Sequence, residues 1–294
     1  MFTKIINMLR KFFNRVYLNL RVLVLIFKNR WLKADDLGQS YNSISPHYDE
    51  NWLNHLRDVT ERLLLNLPDR DLKTIADLGC GTGFTTEIIS ARYPKARITG
   101  IDISKGMIEI ARERTGEQVS YCVDDMLNWL RMQESEKFDL VVSAWSMGYS
   151  YPAKIFREVS RVLKKGGCFL FVVNFSDTLQ PVFNVFRSCM RTYPSYVEKI
   201  VLPRFPSNGK QVKRMMKGAG LEELFYEEGR HMIKENQTTE PLWSWIVNTG
   251  VLAGFDKIMP LREEKVLQNF FEEQLRTNWQ PLTHHYVMSS GRKQ

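Results

Sequence analysis

The sequence predicts an α/β protein: a doubly wound, seven-stranded, mostly parallel sheet, with a basic amphipathic helix ahead of it and a helical insert before the last strand. Two patterns carry this expectation. Between Lys73 and Asn174, short apolar runs of strand character alternate with stretches of helical period, an order that builds parallel strands with helices on both faces. The first run ends in Asp77-Leu78-Gly79-Cys80-Gly81-Thr82-Gly83 and passes straight into a helix-like stretch, so a glycine-rich turn joins strand to helix.

Residues 1–34 read as one helix that interleaves cations with Leu9, Phe12, Phe13, Val16, Leu20 and Leu23. Its longest unbroken apolar run, Val22 to Phe27, is far short of the ~20 residues needed to cross a bilayer. Residues 35–68 form a lead-in: Tyr41 to Asp49 is turn-rich, with Pro46 disfavouring helix at Ser45, and a helix over 51–66 ends before Pro68. The α/β core occupies 69–230. Strands fall near 73–78, 97–102, 118–123, 138–143 and 168–174, and helices near 84–92, 104–114, 125–133 and 153–164. Ser104 is placed to cap the second helix, and Ile155, Phe156, Val159, Val162 and Leu163 give the last an apolar stripe.

Within the core, 175–206 is rich in aromatics and prolines and reads as a substrate cover. A helix over Ser207 to Ala219 stops at Gly220, and Leu221 to Met232 supplies a sixth strand. The insert, 231–280, carries Trp243 and Trp245; it either roofs an apolar pocket or packs as a helical pair on the sheet edge. The last strand and tail occupy 281–294, with Thr283 to Ser290 as the seventh strand.

Charge placement narrows the partners. The chain carries a formal charge of +8, and Lys4, Arg10, Lys11, Arg15, Arg21, Lys28, Arg30 and Lys33 all precede the first acid, Asp35. Removing those eight from the 41 Lys and Arg leaves 33, equal to the Asp and Glu count. A neutral body with one basic tail lacks the spread of phosphate contacts that nucleic-acid binding requires, so no nucleic-acid partner is expected. An anionic membrane surface suits residues 1–33; packing on the chain's own core or on a second subunit competes with it, and a processed secretory leader is disfavoured by the lack of a small-residue cleavage site. Cys80, Cys122, Cys168 and Cys189 show neither paired nor metal-ligand spacing, which fits a reducing cytoplasmic setting, with the tail at the inner face of a membrane.

The glycine turn limits the ligand. A nicotinamide-type G-x-G-x-x-G needs glycine at 84, where Phe84 stands, and Asp77 would repel a diphosphate yet attract an ammonium. Asp102 closes the second strand, where doubly wound folds hold a ribose diol.

These residues resemble the class I S-adenosylmethionine-dependent methyltransferases and their Rossmann-like fold. Asp77 to Gly83 is similar to the family's first motif, Gly100-Ile101-Asp102-Ile103-Ser104 to its second and Asp124-Asp125-Met126 to its third. Phe138 to Ser143 resembles its fourth strand, and Arg161 to Gly167 with Cys168 to Val173 its following turn and fifth strand. The lead-in and overall order look most similar to the small-molecule branch that includes the quinone C-methyltransferases, while carrier-protein carboxyl methyltransferases share the same donor half. The cofactor so implied is S-adenosyl-L-methionine, and the acceptor a small molecule or lipid.

By the same resemblance, Gly79, Cys80, Gly81 and Gly83 border the methionine moiety, Asp77 serves its amino group, and Asp102, followed by Ile103, accepts the ribose hydroxyls. Asp125 takes the adenine amino group, with Asp124 as the competing choice, and Met126 contacts the ring. Met107 lines the adenine pocket or belongs to the core. Ser143 borders donor and acceptor alike. On the acceptor side the candidates are His47, Tyr48 and Tyr149, with His47 either a general base or a surface turn histidine. His284 and His285 alternate in a strand, so at most one of them faces the pocket.

Overall fold

The computed structural model describes residues 2–202, 204–234, 236 and 242–294, with side chains from Ile6 onward, Asn7 apart. In chain order the helices are α1 (Phe2–Phe27), α2 (Ala34–Ile44), α3 (Tyr48–Asn51), α4 (Arg57–Leu64), α5 (Phe84–Arg92), α6 (Lys105–Thr115), α7 (Met126–Met132), α8 (Pro152–Val162), α9 (Gln180–Thr192), α10 (Gly209–Gly218), α11 (Leu242–Val247) and α12 (Lys265–Thr277). The strands are β1 (Thr74–Leu78), β2 (Arg97–Asp102), β3 (Val119–Val123), β4 (Phe138–Ala144), β5 (Leu163–Asn174), β6 (Leu221–Lys234) and β7 (Leu282–Lys293).

The strands form one seven-stranded sheet in the order β3-β2-β1-β4-β5-β7-β6. Pairing is parallel from β3 through β5 and antiparallel between β5 and β7. Strand order reverses between β1 and β4, which opens a crevice beyond their carboxyl ends. Apolar side chains on both sheet faces exclude water: Ile75, Leu140, Phe169 and Phe171 are fully buried, as are Ile155, Phe156 and Val159 on α8. Phe156 sits edge-on to Phe171 with ring centres 5.1 Å apart, so a Phe156→Ala change should cost ~3–5 kcal/mol.

Contacts divide the chain into two compact units. The larger comprises 41–178, 203–231 and 283–294; the other comprises 1–40, 179–202 and 232–282. In the second unit, α1 is docked, among the described side chains, by one stripe. Asn14 Nδ2 donates to Thr192 O at 3.0 Å, Arg21 Nε donates to Val197 O at 2.6 Å, and Leu25 is buried. Phe183 and Phe186 of α9 stack on Phe255, and Trp243 lies 5.5 Å from Phe271 of α12. A buried Asp256 ties this unit together, accepting from Ser40 Oγ at 2.6 Å and from Arg262 Nε at 3.1 Å.

Several boundaries differ from expectation. The lead-in is helical rather than turn-rich: α2 runs to Ile44, and Ser45–His47 continues as a 3-10 turn with Pro46 inside its first turn, where a missing N–H costs nothing. The helix expected over 51–66 breaks into α3, a 3-10 turn at Leu53–His55 and α4. β5 starts at Leu163 instead of 168, because Phe138 pairs with Leu163 before a bulge restores register at Leu140 and Cys168. Of the aromatic stretch 175–206, 179–202 belongs to the smaller unit and Arg204 to Pro206 to the larger, with Pro203 outside the described residues. Trp243 and Trp245 belong to the smaller unit.

Candidate active site

β1 delivers Asp77 to the crevice. Every β1 residue is buried, so the sheet fixes the carboxylate in a dry position. Thr86 Oγ1, one turn into α5, donates to Asp77 Oδ2 at 2.6 Å, while Oδ1 is buried without a partner. Burial pushes the carboxyl up to about 7 against the lowering effect of Thr86, and the nearby charge of Asp102 adds to the rise.

The turn after β1 lies against β2, with Gly79 N and Cys80 N both donating to Ile101 O, at 2.7 and 3.0 Å. Gly79 has φ +69°, and a Cβ there would stand 2.3 Å from the Ser146 Cβ, so both conformation and space demand glycine. Gly81, at φ +54°, has nothing within 4 Å of its missing Cβ, so the loop keeps an open side. Gly83 precedes α5 in the left-handed region. The Cys80 thiol is buried, and desolvation holds it in the neutral form.

Asp102 sits at the end of β2 facing this turn. Its Oδ2 accepts from Gly81 N and its Oδ1 from Ser104 N, each at 2.9 Å, with half-buried Ile103 between them. Burial still raises its pKa, since desolvation outweighs the backbone donors. Ser104 caps α6 as expected, accepting from Met107 N, and Met107 itself is a core side chain. At the end of β3, Asp125 Oδ1 accepts from Leu127 N and Asn128 N, both at 3.0 Å, so it caps α7. Among the described residues, Asp124 Oδ1 accepts only from Asp125 N, at 2.7 Å. The Met126 methyl reaches to 3.4 Å from the missing Gly79 Cβ. The Ser143 hydroxyl is directed at Leu78 O, 3.2 Å away, which ties β4 to β1.

Residues of the lead-in that sequence reasoning passed over close this half. Asn42 Oδ1 accepts from Ser104 Oγ at 2.6 Å and from Gly106 N at 2.9 Å. Asp49 accepts from Thr82 Oγ1 in the glycine turn at 2.5 Å and pairs with Arg114 of α6. The only sequence signal for Asp49 was the cluster of polar residues ahead of an apolar helix.

Beyond β4 lies a group of aromatic side chains, among them the candidates Tyr48 and Tyr149. Tyr41 stands perpendicular to Tyr149 with ring centres 5.9 Å apart, Tyr48 lies 6.3 Å from Tyr41, and burial drives all three phenols above their ordinary range. Phe205 covers Gly148 and stacks edge-on with Tyr149. His47 is exposed on its 3-10 turn, the surface-turn alternative.

A second aromatic group surrounds His284. Trp52 and Trp145 have ring centres 5.3 and 5.2 Å from the imidazole, and Tyr286 lies 5.4 Å from Trp145. Trp145 adopts φ +65°, a strained backbone for an indole, held by its Nε1 donating to Thr60 Oγ1 at 2.9 Å. Thr178 Oγ1 accepts from His285 N and lies 3.1 Å from His284 Nδ1 and 3.3 Å from Asn174 Oδ1. The His284 Nε2 is buried without a partner, and desolvation lowers the imidazole to about 3. His285 points to the other face, where it meets Asp177 at 2.7 Å.

The methyltransferase domain family matches residues 75–167. Malonyl-acyl-carrier-protein O-methyltransferase of Acetivibrio thermocellus is 46% identical over 88 residues, 27% of this chain and 29% of that protein. The Bacillus cereus enzyme of the same name is 30% identical over 157 residues, 51% of this chain and 57% of that protein. This chain therefore spans less than two thirds of the curated relatives it matches, and neither of these is a quinone C-methyltransferase. Among solved structures, geranyl diphosphate C-methyltransferase from Streptomyces coelicolor superposes with a TM-score of 0.50 at 16% identity, covering 81% of this chain and 78% of that one. The (4+2)-cyclase SpnF gives a TM-score of 0.56 at 17% identity, covering 90% and 97%. Residues 75–167 are thus a methyltransferase domain of the class I, S-adenosylmethionine-dependent type, set in the Rossmann-like fold of that class.

Proposed function

We propose that this chain transfers a methyl group from S-adenosylmethionine to a small, lipophilic acceptor. The observation that carries the donor half is the pairing of an orphaned, dry Asp77 Oδ1 with a glycine turn whose Gly81 side is open. A buried acceptor atom without a donor costs ~1–3 kcal/mol, and the ammonium of a methionine moiety supplies the missing donor and a charge. Asp102, already aligned by two backbone N–H groups, receives the ribose hydroxyls. Asp124 is the better partner for the adenine amino group, because Asp125 is occupied by the helix cap. Met126 packs against the adjoining ring.

When bound, the sulfonium supplies a methyl carbon activated by positive charge. The chain aligns and dries the site: displacement breaks the methyl carbon to sulfur bond as the acceptor bond forms, and the acceptor's proton leaves to solvent. Trp52, Trp145 and Tyr286 favour an apolar acceptor. The unpartnered Nε2 of His284 hydrogen-bonds a polar group of that acceptor and orients it. An imidazole held near 3 is a weak base, so its role is positioning.

Carboxyl methylation of a carrier-protein thioester is the second reading, favoured by the malonyl-acyl-carrier-protein O-methyltransferases among the relatives. A donor-binding regulator without turnover is the third, since the same fold serves other chemistry. Incubation with a deuterated methyl donor and either lipid and quinone extracts or malonylated carrier protein, read by mass spectrometry, separates them. Label in the lipid fraction supports the first reading, label on the carrier protein the second, and donor binding with no labelled product the third.

A further inference from the structure

The stripe that docks α1 comprises Asn14, Leu18, Arg21, Val22 and Leu25, all partly or fully buried. At ~100° per residue these fall within one side of the helix. Leu9, Phe12, Val16, Leu20, Leu23 and Phe27 recur every third or fourth residue on the opposite side, and all six are exposed, Phe27 by 92%. Phe13 and Val24 widen this face. α1 is therefore apolar on two sides, and among the described residues only one of them is packed within the chain.

Cations occupy the borders. Arg10 and Lys28 fall along one edge of the exposed apolar face and Arg15 along the other, while Lys11 lies further round, at the angle of the docked stripe. No acid occurs anywhere in α1. Arg30 and Lys33 extend the basic character just past the helix.

We propose that this face docks on an anionic lipid surface, with the helix axis in the plane of the bilayer, the aromatic and leucine side chains below the headgroups and the flanking cations Arg10, Arg15 and Lys28 at phosphate level. The charge pattern selects this occupant. A second copy of the same face would set cations against cations with no carboxylate on either helix to relieve them, whereas anionic headgroups complement both borders. Crossing is not available, since no described helix is long and apolar enough to span a membrane. The inference is independent of methyl transfer and of the acceptor's identity.

The test is flotation of the full chain with vesicles of phosphatidylcholine alone or mixed with phosphatidylglycerol, comparing the natural sequence with Phe12→Glu/Leu20→Glu and Arg10→Glu/Arg15→Glu. None of these positions lies in the methyltransferase domain, so S-adenosylmethionine affinity serves as the folding control. Expected are flotation with the anionic vesicles, at least about tenfold weaker binding for either double variant, and loss of binding as salt is raised to ~0.5 M. Failure of the natural chain to float with anionic vesicles, or equal flotation by the Phe12→Glu/Leu20→Glu variant, overturns the proposal. So does a dimer in sedimentation that the same variant abolishes without any vesicle binding, which would assign the face to a second copy.

Discussion

Thr86 donates its hydroxyl to one oxygen of Asp77 at 2.6 Å, while the other oxygen is shut away from water with no partner at all. The pair fixes the carboxylate's rotation and leaves one lone-pair direction for a ligand.

Donor binding should therefore depend on pH through Asp77. Its folded pKa, raised to about 7 from 3.8, means that the free chain is stabilised by protonation at low pH and loses that contribution as pH rises through about 7. An ammonium needs the ionised form, so affinity for S-adenosylmethionine should fall about tenfold per unit below pH ~7 and level off above it. Calorimetric titration from pH ~5.5 to ~8 checks this, and Asp77→Asn should bind weakly and without that slope. A flat profile for the natural chain would contradict the assignment.

Asp124 and Asp125 should separate cleanly. Asp125→Ala removes the α7 cap, at a cost of ~0.5–2 kcal/mol, and should lower Tm by a few degrees. Asp124→Ala should leave Tm almost unchanged and weaken S-adenosylmethionine about tenfold while sparing adenine-free analogues. Thermal melts alongside binding isotherms distinguish the two, and the reverse pattern would return the adenine contact to Asp125.

Replacing His284 by Phe removes the bare Nε2 while keeping a ring between Trp52 and Trp145. Donor affinity should be unaffected, and kcat/KM for the acceptor should fall about 10–100-fold, which steady-state kinetics reads directly. The folded pKa of about 3 lies below the ordinary 6.5, so the unfolded chain binds more protons between those values. This contribution to stability is complete above about pH 6.5 and is lost as pH falls toward about 3. Urea unfolding should show that slope in the natural chain and a reduced one in His284→Phe.

Much of this architecture was legible in the sequence, and the parts that were not share a physical reason. Strands β1 to β4 and helix α5 fall at or within two residues of their expected bounds, because short apolar runs bounded by turn residues mark buried parallel strands, and Gly220 stops α10 at φ +71° as a left-handed glycine should. The acidic first turn of α2, Asp35 and Asp36, was an available helix signal overshadowed by Pro46. Asp125 directly before a helix was likewise a cap signal, outweighed by motif placement. Asn42, Asp49 and Thr178 act through partners 33 to 107 residues away, and such bonds leave no mark on local pattern.

The bond from Thr82 to Asp49 joins the glycine turn to the lead-in segment. Asp49→Ala also leaves Arg114, which is partly buried, with only its longer 3.9 Å pairing to Glu87, and should loosen the segment over the bound donor. Stopped-flow fluorescence should show donor dissociation about tenfold faster with a nearly unchanged association rate. Equal dissociation rates would mean the segment plays no part in retention.

The central claim is that the ends of β1 and β2 hold S-adenosylmethionine through Asp77, the glycine turn and Asp102. Calorimetric titration of the full chain with S-adenosylmethionine and S-adenosylhomocysteine, repeated for Asp102→Ala, tests it most directly. Saturable 1:1 binding of both nucleosides is expected, weakened about 100-fold by the substitution as the ribose contacts and the alignment of Gly81 and Ser104 are lost. No binding by the natural chain, or equal binding by Asp102→Ala, would contradict it.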